Sequence, residues 1–262
     1  FAGARASADQ FNINQFAAGS ADIEEQARIT QYAAAAYAGR EFGTWGRGSL
    51  SYLRGAGDRE IRIGDPSIPD QDFDIGEMSV VLEADTLDDL YFPSHGHFAS
   101  AVYRINREEF GASEDYDQAL FAALIAGTRG KNTFSIGVDY RTTTSGQAPP
   151  ERRFRAGGLF NLSGYEFNQL SGQHYGRVVG QVRRNFWDTG LVDVFLGTSL
   201  EYGNVWESRD DIDFGDGVFA GSVFLGADTM FGPLYLGYGH AETGADSFYL
   251  YVGALRSTPA IR

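Results

Sequence analysis

The side chains best equipped for chemistry in this chain are four histidines, a run of aspartates and the arginines of one long glycine-rich stretch. His95 and His97, in SHGH, stand two apart, whereas His174 and His240 are isolated. Two imidazoles at alternate positions are not a zinc signature without further ligands, and the absence of cysteine removes any thiolate site or disulfide framework. The run SRDDIDFGDGV gathers Asp210, Asp211, Asp213 and Asp216 but lacks EF-hand spacing and its closing glutamate, so it reads as a solvated outer loop. No G-x-S-x-G nucleophile elbow is present, and no spacing supports a Ser/His/acid set. No catalytic, metal or cofactor residue is therefore assigned, and the chain reads as a non-enzyme. The stretch RFRAGGLFNLSGYEFNQLSG, residues 153–172, is different. It is too long for a hairpin turn and too rich in glycine and aromatics for a disordered linker, and its arginines need partners.

The elements that must position such a stretch follow from composition. Among 262 residues, 34 Gly, 20 Phe and 14 Tyr stand against 2 Met, a balance that suits strands and turns better than helix interiors. A net charge of −14 disfavours a phosphate-tracking surface, so no nucleic-acid partner is expected. No apolar run reaches the roughly 20 residues of a membrane-spanning helix, but barrel strands cross with about 10 residues of alternating character. The chain opens at Phe1 without an initiator methionine and reads as a piece of a longer protein.

Alternation is clear in three places. In NTFSIGVDYRT, Phe134, Ile136, Val138 and Tyr140 oppose Thr133, Ser135, Gly137, Asp139 and Arg141. In LVDVFLGTSLEYG, Val192, Val194, Leu196, Leu200 and Tyr202 oppose Asp193, Ser199 and Glu201; in IGEMSVVLEAD, Met78, Val80 and Leu82 oppose Glu77, Ser79, Glu83 and Asp85. The same pattern predicts about a dozen strands, near 1–9, 27–40, 44–54, 74–86, 96–107, 116–127, 131–142, 174–185, 190–203, 217–229, 231–241 and 246–255.

Tight turns around Gly43, Gly130, Asp188 and Gly232 mostly alternate with long polar connections, as in an outer-membrane barrel. TLDDLYFPSHG is the exception, long where a short turn is expected. The predicted architecture is all-β: one antiparallel transmembrane barrel domain over residues 1–262, with Trp45, Tyr103, Tyr140, Trp187, Trp206 and Tyr238 placed for interfacial girdles. A soluble sandwich or side-chain-filled barrel also alternates, but strands of about 10 residues exceed its usual 5–6.

Residues 153–172, followed by GQHYGRVVGQVRRNF, FLGTSLEYGNVW and FLGADTMFGPLYLGYGHAETGADSFYLYVGAL, resemble the C-terminal half of the barrel in the BamA/TamA outer-membrane superfamily. Within it they look most like the barrel of patatin-like proteins of the PlpD kind, which pair a GG-x-x-NLSGY loop with a DT-x-x-GPLYLGYG strand pair. The likeness runs from about residue 85 to 255. It implies a 16-stranded barrel in the outer membrane of a Gram-negative bacterium, with the four strands not seen here preceding Phe1. It also implies a long extracellular loop folded into the lumen through a V-R-G-F/Y motif.

The matching tetrapeptide is Leu162-Ser163-Gly164-Tyr165, with Ser163 where the family has its wall-pairing arginine. Glu201 and Asp228, on the polar faces of neighbouring strands, are the carboxylates a replacement cation would meet, and Arg153 or Arg155 upstream would supply it through charge-assisted hydrogen bonds. In the alternative reading both carboxylates are ordinary solvated lumen residues. Gly157, Gly158 and Gly164 would allow backbone conformations or close approaches closed to other residues, or would be plain turn glycines.

The resemblance further implies insertion or export of polypeptide, with a weak seam between first and last strands. The partners are then outer-membrane lipid and a polypeptide substrate or fused passenger domain, with no cofactor. The alternative is a passive pore or membrane-anchoring scaffold. The last strand gives way to Arg256 and a Pro259-containing tail that departs from the aromatic terminus common in such barrels.

Overall fold

The structure is a computed structural model that describes residues 1–17, 20–65, 67, 69–188 and 192–253. Twelve strands form one antiparallel sheet in which every neighbour but one is the next strand in the chain. They are β1 (Ala2–Phe16), β2 (Ile23–Phe42), β3 (Gly46–Ile63), β4 (Gln71–Asp85), β5 (Gly96–Asn106), β6 (Tyr116–Arg129), β7 (Asn132–Gly146), β10 (His174–Asp188), β11 (Val192–Trp206), β12 (Val218–Thr229), β13 (Gly232–Ala241) and β14 (Asp246–Val252). The one break in sequence order is between β7 and β10, where the two short strands β8 (Phe154–Ala156) and β9 (Leu170–Gly172) pair only with each other. Among the described residues β1 and β14 are the two edges of the sheet. The Arg256 and Pro259 tail and the tip of the β10–β11 turn lie outside the described residues.

Side-chain burial shows which way the wall faces. On β11, Leu196 and Leu200 point outward and are exposed, Leu200 at 64%, while Phe195, Ser199 and Glu201 on the opposite face are buried. On β7, Phe134 and Ile136 are exposed and Thr133 and Asp139 buried; on β4, Val80 and Leu82 are exposed and Glu77 and Ser79 buried. A wall apolar outside and ionic inside, with no second layer over the apolar rows among the described residues, is the pattern of a lipid-facing barrel. Leu200→Arg, near the middle of β11, is expected to destabilise the folded protein in lipid bilayers by about 2–4 kcal/mol, read from denaturant refolding into vesicles. An outer face that met no lipid would accept the arginine at no cost.

The predicted strands match the observed ones closely except at two places. β1, β2 and β3 run further toward the long-loop rim than alternation predicts. In the β2 and β3 extensions charge falls on adjacent positions, Glu24 and Glu25 in β2 and Asp58, Arg59 and Glu60 in β3, so it occupies both faces and masks the period of two. The other difference is the β8–β9 pair, hidden inside the long loop.

The sheet curls on itself. Residues 86–95, which join β4 to β5, reach across to β10, β11 and β13, and the loop between β7 and β10 touches both β1 and β14. Short turns at 43–45, 130–131 and 230–231 share one rim with the long 86–95 connection, and the other long connections lie at the opposite rim together with the loop's roots.

Candidate functional site: the inward loop and its anchor

Residues 147–173 enter the lumen as two backbone-tied arms. At the root, Gln173 and Ala148 exchange a reciprocal pair of hydrogen bonds, 3.0 and 2.9 Å, and Gln118 of β6 donates to the Arg152 carbonyl at 3.0 Å. Phe154, Ala156, Leu162 and Tyr165 are buried with Val102, Leu120, Tyr175, Ala220 and Ala241 of the wall. This apolar contact gives the loop a core of its own inside the barrel. Below it the chain knots tightly: Gly157 N–H donates to Asn161 O at 2.7 Å and Gly158 N–H to Tyr165 O at 3.0 Å. Phe160 and Leu162 are held at positive φ, 66° and 63°, a conformation that costs a non-glycine residue about 1–3 kcal/mol and persists only where neighbours over-determine it.

The over-determining contact is Glu201. Its carboxylate, 1% exposed on β11, accepts from Ser163 N–H at 2.8 Å on Oε2, and from Ser163 Oγ at 2.6 Å and Ser199 Oγ at 2.6 Å on Oε1. Ser163 is wholly buried, and its Oγ also accepts from Phe160 N–H at 3.0 Å. On the other side of the motif Gly164 N–H donates to Tyr249 Oη at 2.8 Å, which in turn donates to Tyr165 O at 2.8 Å. Gly164, at φ 109°, lies against the backbone of β13 and of the β13–β14 turn. Leu162-Ser163-Gly164-Tyr165 is thus clamped between β11 on one side and β13–β14 on the other.

Glu201 therefore meets a hydroxyl and a backbone N–H where the sequence suggests a cation. The arginines named from the sequence lie elsewhere. Arg153 pairs with Glu207 at 3.0 Å near the rim, and Arg155 donates to the Asn14 and Pro150 carbonyls at 3.0 and 3.1 Å. Asp228 is not at the anchor either: Glu201 pairs in register with Ala220, and Asp228 lies eight residues further along β12 toward the opposite rim, about 26 Å at the usual strand rise. Ionised acceptors bind neutral donors strongly, so the two donors of Ser163, with Ser199 Oγ as a third from the wall, satisfy the buried carboxylate without a guanidinium. Gly157 and Gly158 both adopt positive φ at the start of the knot.

A cation does take part, but it comes from the wall. Arg177 of β10, buried and opposite Asp139 of β7 in register, donates to the Phe160 carbonyl. Tyr175, two residues before it, donates to Asn161 Oδ1 at 2.7 Å. The signal for both was present in YGRVVGQVRRNF, whose alternation puts Tyr175, Arg177, Val179, Gln181 and Arg183 on one face.

The histidines make local bonds. His174 Nδ1 lies 2.6 Å from Thr142 Oγ1, and His97 Nδ1 lies 3.1 Å from Thr86 Oγ1. His95 Nδ1 is 3.0 Å from Ser94 Oγ and 3.7 Å from Asp88 Oδ2, yet Ser94 Oγ donates directly to Asp88. A nucleophile activated by its histidine would instead donate to the imidazole nitrogen remote from the acid, so this cluster is a folded turn. Partial burial opposes ionisation of Asp88, but bonds from the Ser94 hydroxyl and the His95 and Ser94 N–H groups outweigh it and bring its pKa down to about 2. Asp88 is an acceptor throughout the neutral range. Among the described residues no group of three or more His, Asp or Glu could hold a metal ion.

A curled antiparallel wall, apolar outside and ionic within, holds a long loop inside by a tetrapeptide clamp, which defines a β-barrel fold with an inward loop. The fold is that of the BamA-type barrel: the crystal structure of BamA from Haemophilus ducreyi lacking POTRA domains 1-3 superimposes with a TM-score of 0.72 at 13% identity, covering 91% of this chain. The chain spans 56% of the length of that structure. No family model and no curated protein matches the sequence.

Proposed function

We propose that this chain is the outer-membrane barrel of a protein that inserts or exports polypeptide, with the inward loop as its interior plug. The observation that carries the reading is the two-sided clamp on residues 162–165, which fixes a long extracellular loop inside a polar lumen in a BamA-type wall. An export barrel needs such a plug to keep its lumen sealed at rest while leaving a path that opens during transport. The sequence resemblance to PlpD-like proteins names the passenger we favour, a fused patatin-like phospholipase domain outside these residues. Partners are then outer-membrane lipid and that polypeptide.

The second reading is an anchoring scaffold that keeps a partner domain at the membrane without moving it. It draws on the extent to which the lumen is filled by buried side chains of the loop. Protease added to intact cells producing the full-length protein separates the two. An exporter exposes its passenger to that protease, and Glu201→Ala reduces the exposed fraction. A scaffold leaves the passenger membrane-bound and protected in both proteins, and that result would remove the export reading.

A further inference from the structure

Two segments enter this lumen, from opposite ends, and they meet. The first is the long loop, whose tip places Leu159 and Phe160 against Phe224, with Phe160 edge-on to Phe224 at 4.6 Å between ring centroids. The second is the β4–β5 connection, residues 86–95, the one long connection at the rim where the neighbouring turns at 43–45, 130–131 and 230–231 are tight. It does not hang outside the rim. Phe92, 8% exposed, stands edge-on to Phe195 of β11 at 4.5 Å and 5.2 Å from Tyr235 of β13, on the wall facing its own strands.

The connection is held there by side chains of two other strands. Arg183 of β10 donates to the Phe92 and Pro93 carbonyls at 2.7 and 2.9 Å, with its guanidinium 5.9 Å over Phe92 and 5.5 Å over Phe195. Thr128 of β6 donates to the Ser94 carbonyl at 2.9 Å. Within the segment Asp89 accepts from the Tyr91 and Phe92 N–H groups, both at 2.7 Å, so the shape that presents Phe92 is built in. Phe195 and Tyr235 each lie three residues into their strands, which puts Phe92 about 10 Å inside the rim. Tyr235 is common to both segments, 5.2 Å from Phe92 and 5.8 Å from Phe160. Phe92 and Phe160 both line a cavity of about 70 Å³ between them, room for a few waters.

We propose that residues 86–95 are an inner stopper, and that this stopper and the long loop close the lumen as one coupled unit through the aromatic cluster centred on Tyr235. The proposal does not depend on whether polypeptide moves through the barrel; it holds equally for an exporter and for a scaffold.

The test uses the full-length protein in planar bilayers, with the shift between heated and unheated migration on gels as the fold control. Replacing residues 157–169 by a short Gly-Ser link, or Phe92→Ala with Arg183→Gln, is each expected to raise conductance less than about threefold, and the combination more than about tenfold, as for two barriers in series on one path. If the loop replacement alone conducts as well as the combination, residues 86–95 are no barrier. Coupling is read by hydrogen exchange: Phe92→Ala should speed exchange of the amides at 158–165 by about tenfold while β10–β13 stay protected. A change confined to 86–95 overturns the coupling. Should Phe92→Ala fail the fold control, Arg183→Gln alone keeps every ring in place while removing two donors, and the same exchange readout decides.

Discussion

Glu201→Ala will release the long loop from the wall while leaving the wall folded. The carboxylate receives three donors in a site with no access to water. Without it, the two hydroxyls can turn: Ser199 Oγ already lies 2.6 Å from Ser222 Oγ. The Ser163 N–H cannot turn, because the backbone on either side is fixed by Leu162 and Gly164 at positive φ. A buried donor left unmade costs about 1–3 kcal/mol, more where the lost acceptor was charged, so the loop should lose about 3–4 kcal/mol of local stability. Amide exchange at 158–165 would then rise by roughly two to three orders of magnitude, with the sheet unchanged.

Ser163→Ala, which keeps the N–H bond and loses one hydroxyl, should show a smaller rise, and Glu201→Gln an intermediate one. Equal exchange in Glu201→Ala and the parent protein would mean that the anchor lies elsewhere. Ser163→Arg, which supplies the residue type that the sequence resemblance implies at this position, should unseat the loop rather than anchor it. Ser163 Cβ already lies in the space that a Cβ on Gly239 would fill, 2.6 Å away, so the larger side chain has nowhere to go.

Gly164→Ala should be as disruptive by an independent route. At φ 109° the residue is outside the conformations that L side chains tolerate, and a Cβ there would sit 2.6 Å from the Ala245 carbonyl oxygen, 2.7 Å from the Ala241 nitrogen and 2.9 Å from the His240 carbonyl carbon. These are backbone atoms, and Ala241 N–H and Ala245 O are bonded to each other at 2.9 Å, so none of them can yield alone. Strain and overlap together should cost about 3–5 kcal/mol and push the tetrapeptide off β13. Gly244→Ala is the control. It also has positive φ, 86°, but nothing lies within 4 Å of its added Cβ, so only the conformational cost of about 1 kcal/mol applies. Exchange at 158–165 should respond to the first change and not to the second; an equal response would show that the close approach is not what seats the motif.

The wall was readable from the chain because lipid on one side and an ionic interior on the other impose a period of two on every crossing strand. Leu200 and Glu201, adjacent and opposite in character, carry that information in two letters. Where charge falls on adjacent positions, as at Glu24 and Glu25 of β2 and at Asp58, Arg59 and Glu60 of β3, the period is masked and so was that part of the strand. The anchor was half readable. Alternation singled out Glu201, but its partner is a main-chain N–H, which every residue has and no sequence displays. The serine hydroxyl beside it looked like the loss of a charge. Arg177 and Arg183 were available in the pattern of β10. What pattern could not supply was the direction taken by residues 86–95: their length marks them as unusual, whereas the inward turn depends on Arg183 and Thr128 from distant parts of the chain.

The loop also grips both margins of the curled sheet. Arg155 and Gln169 hold the Asn14 and Ser20 carbonyls of the first hairpin, while Glu166 accepts from Ser247 and Gly164 donates to Tyr249 on the last strand. It therefore works like a hub with spokes to opposite sides of a rim. Circumference and occlusion become a single mechanical variable, since any expansion that carries the margins beyond the reach of those side chains must first unseat the hub.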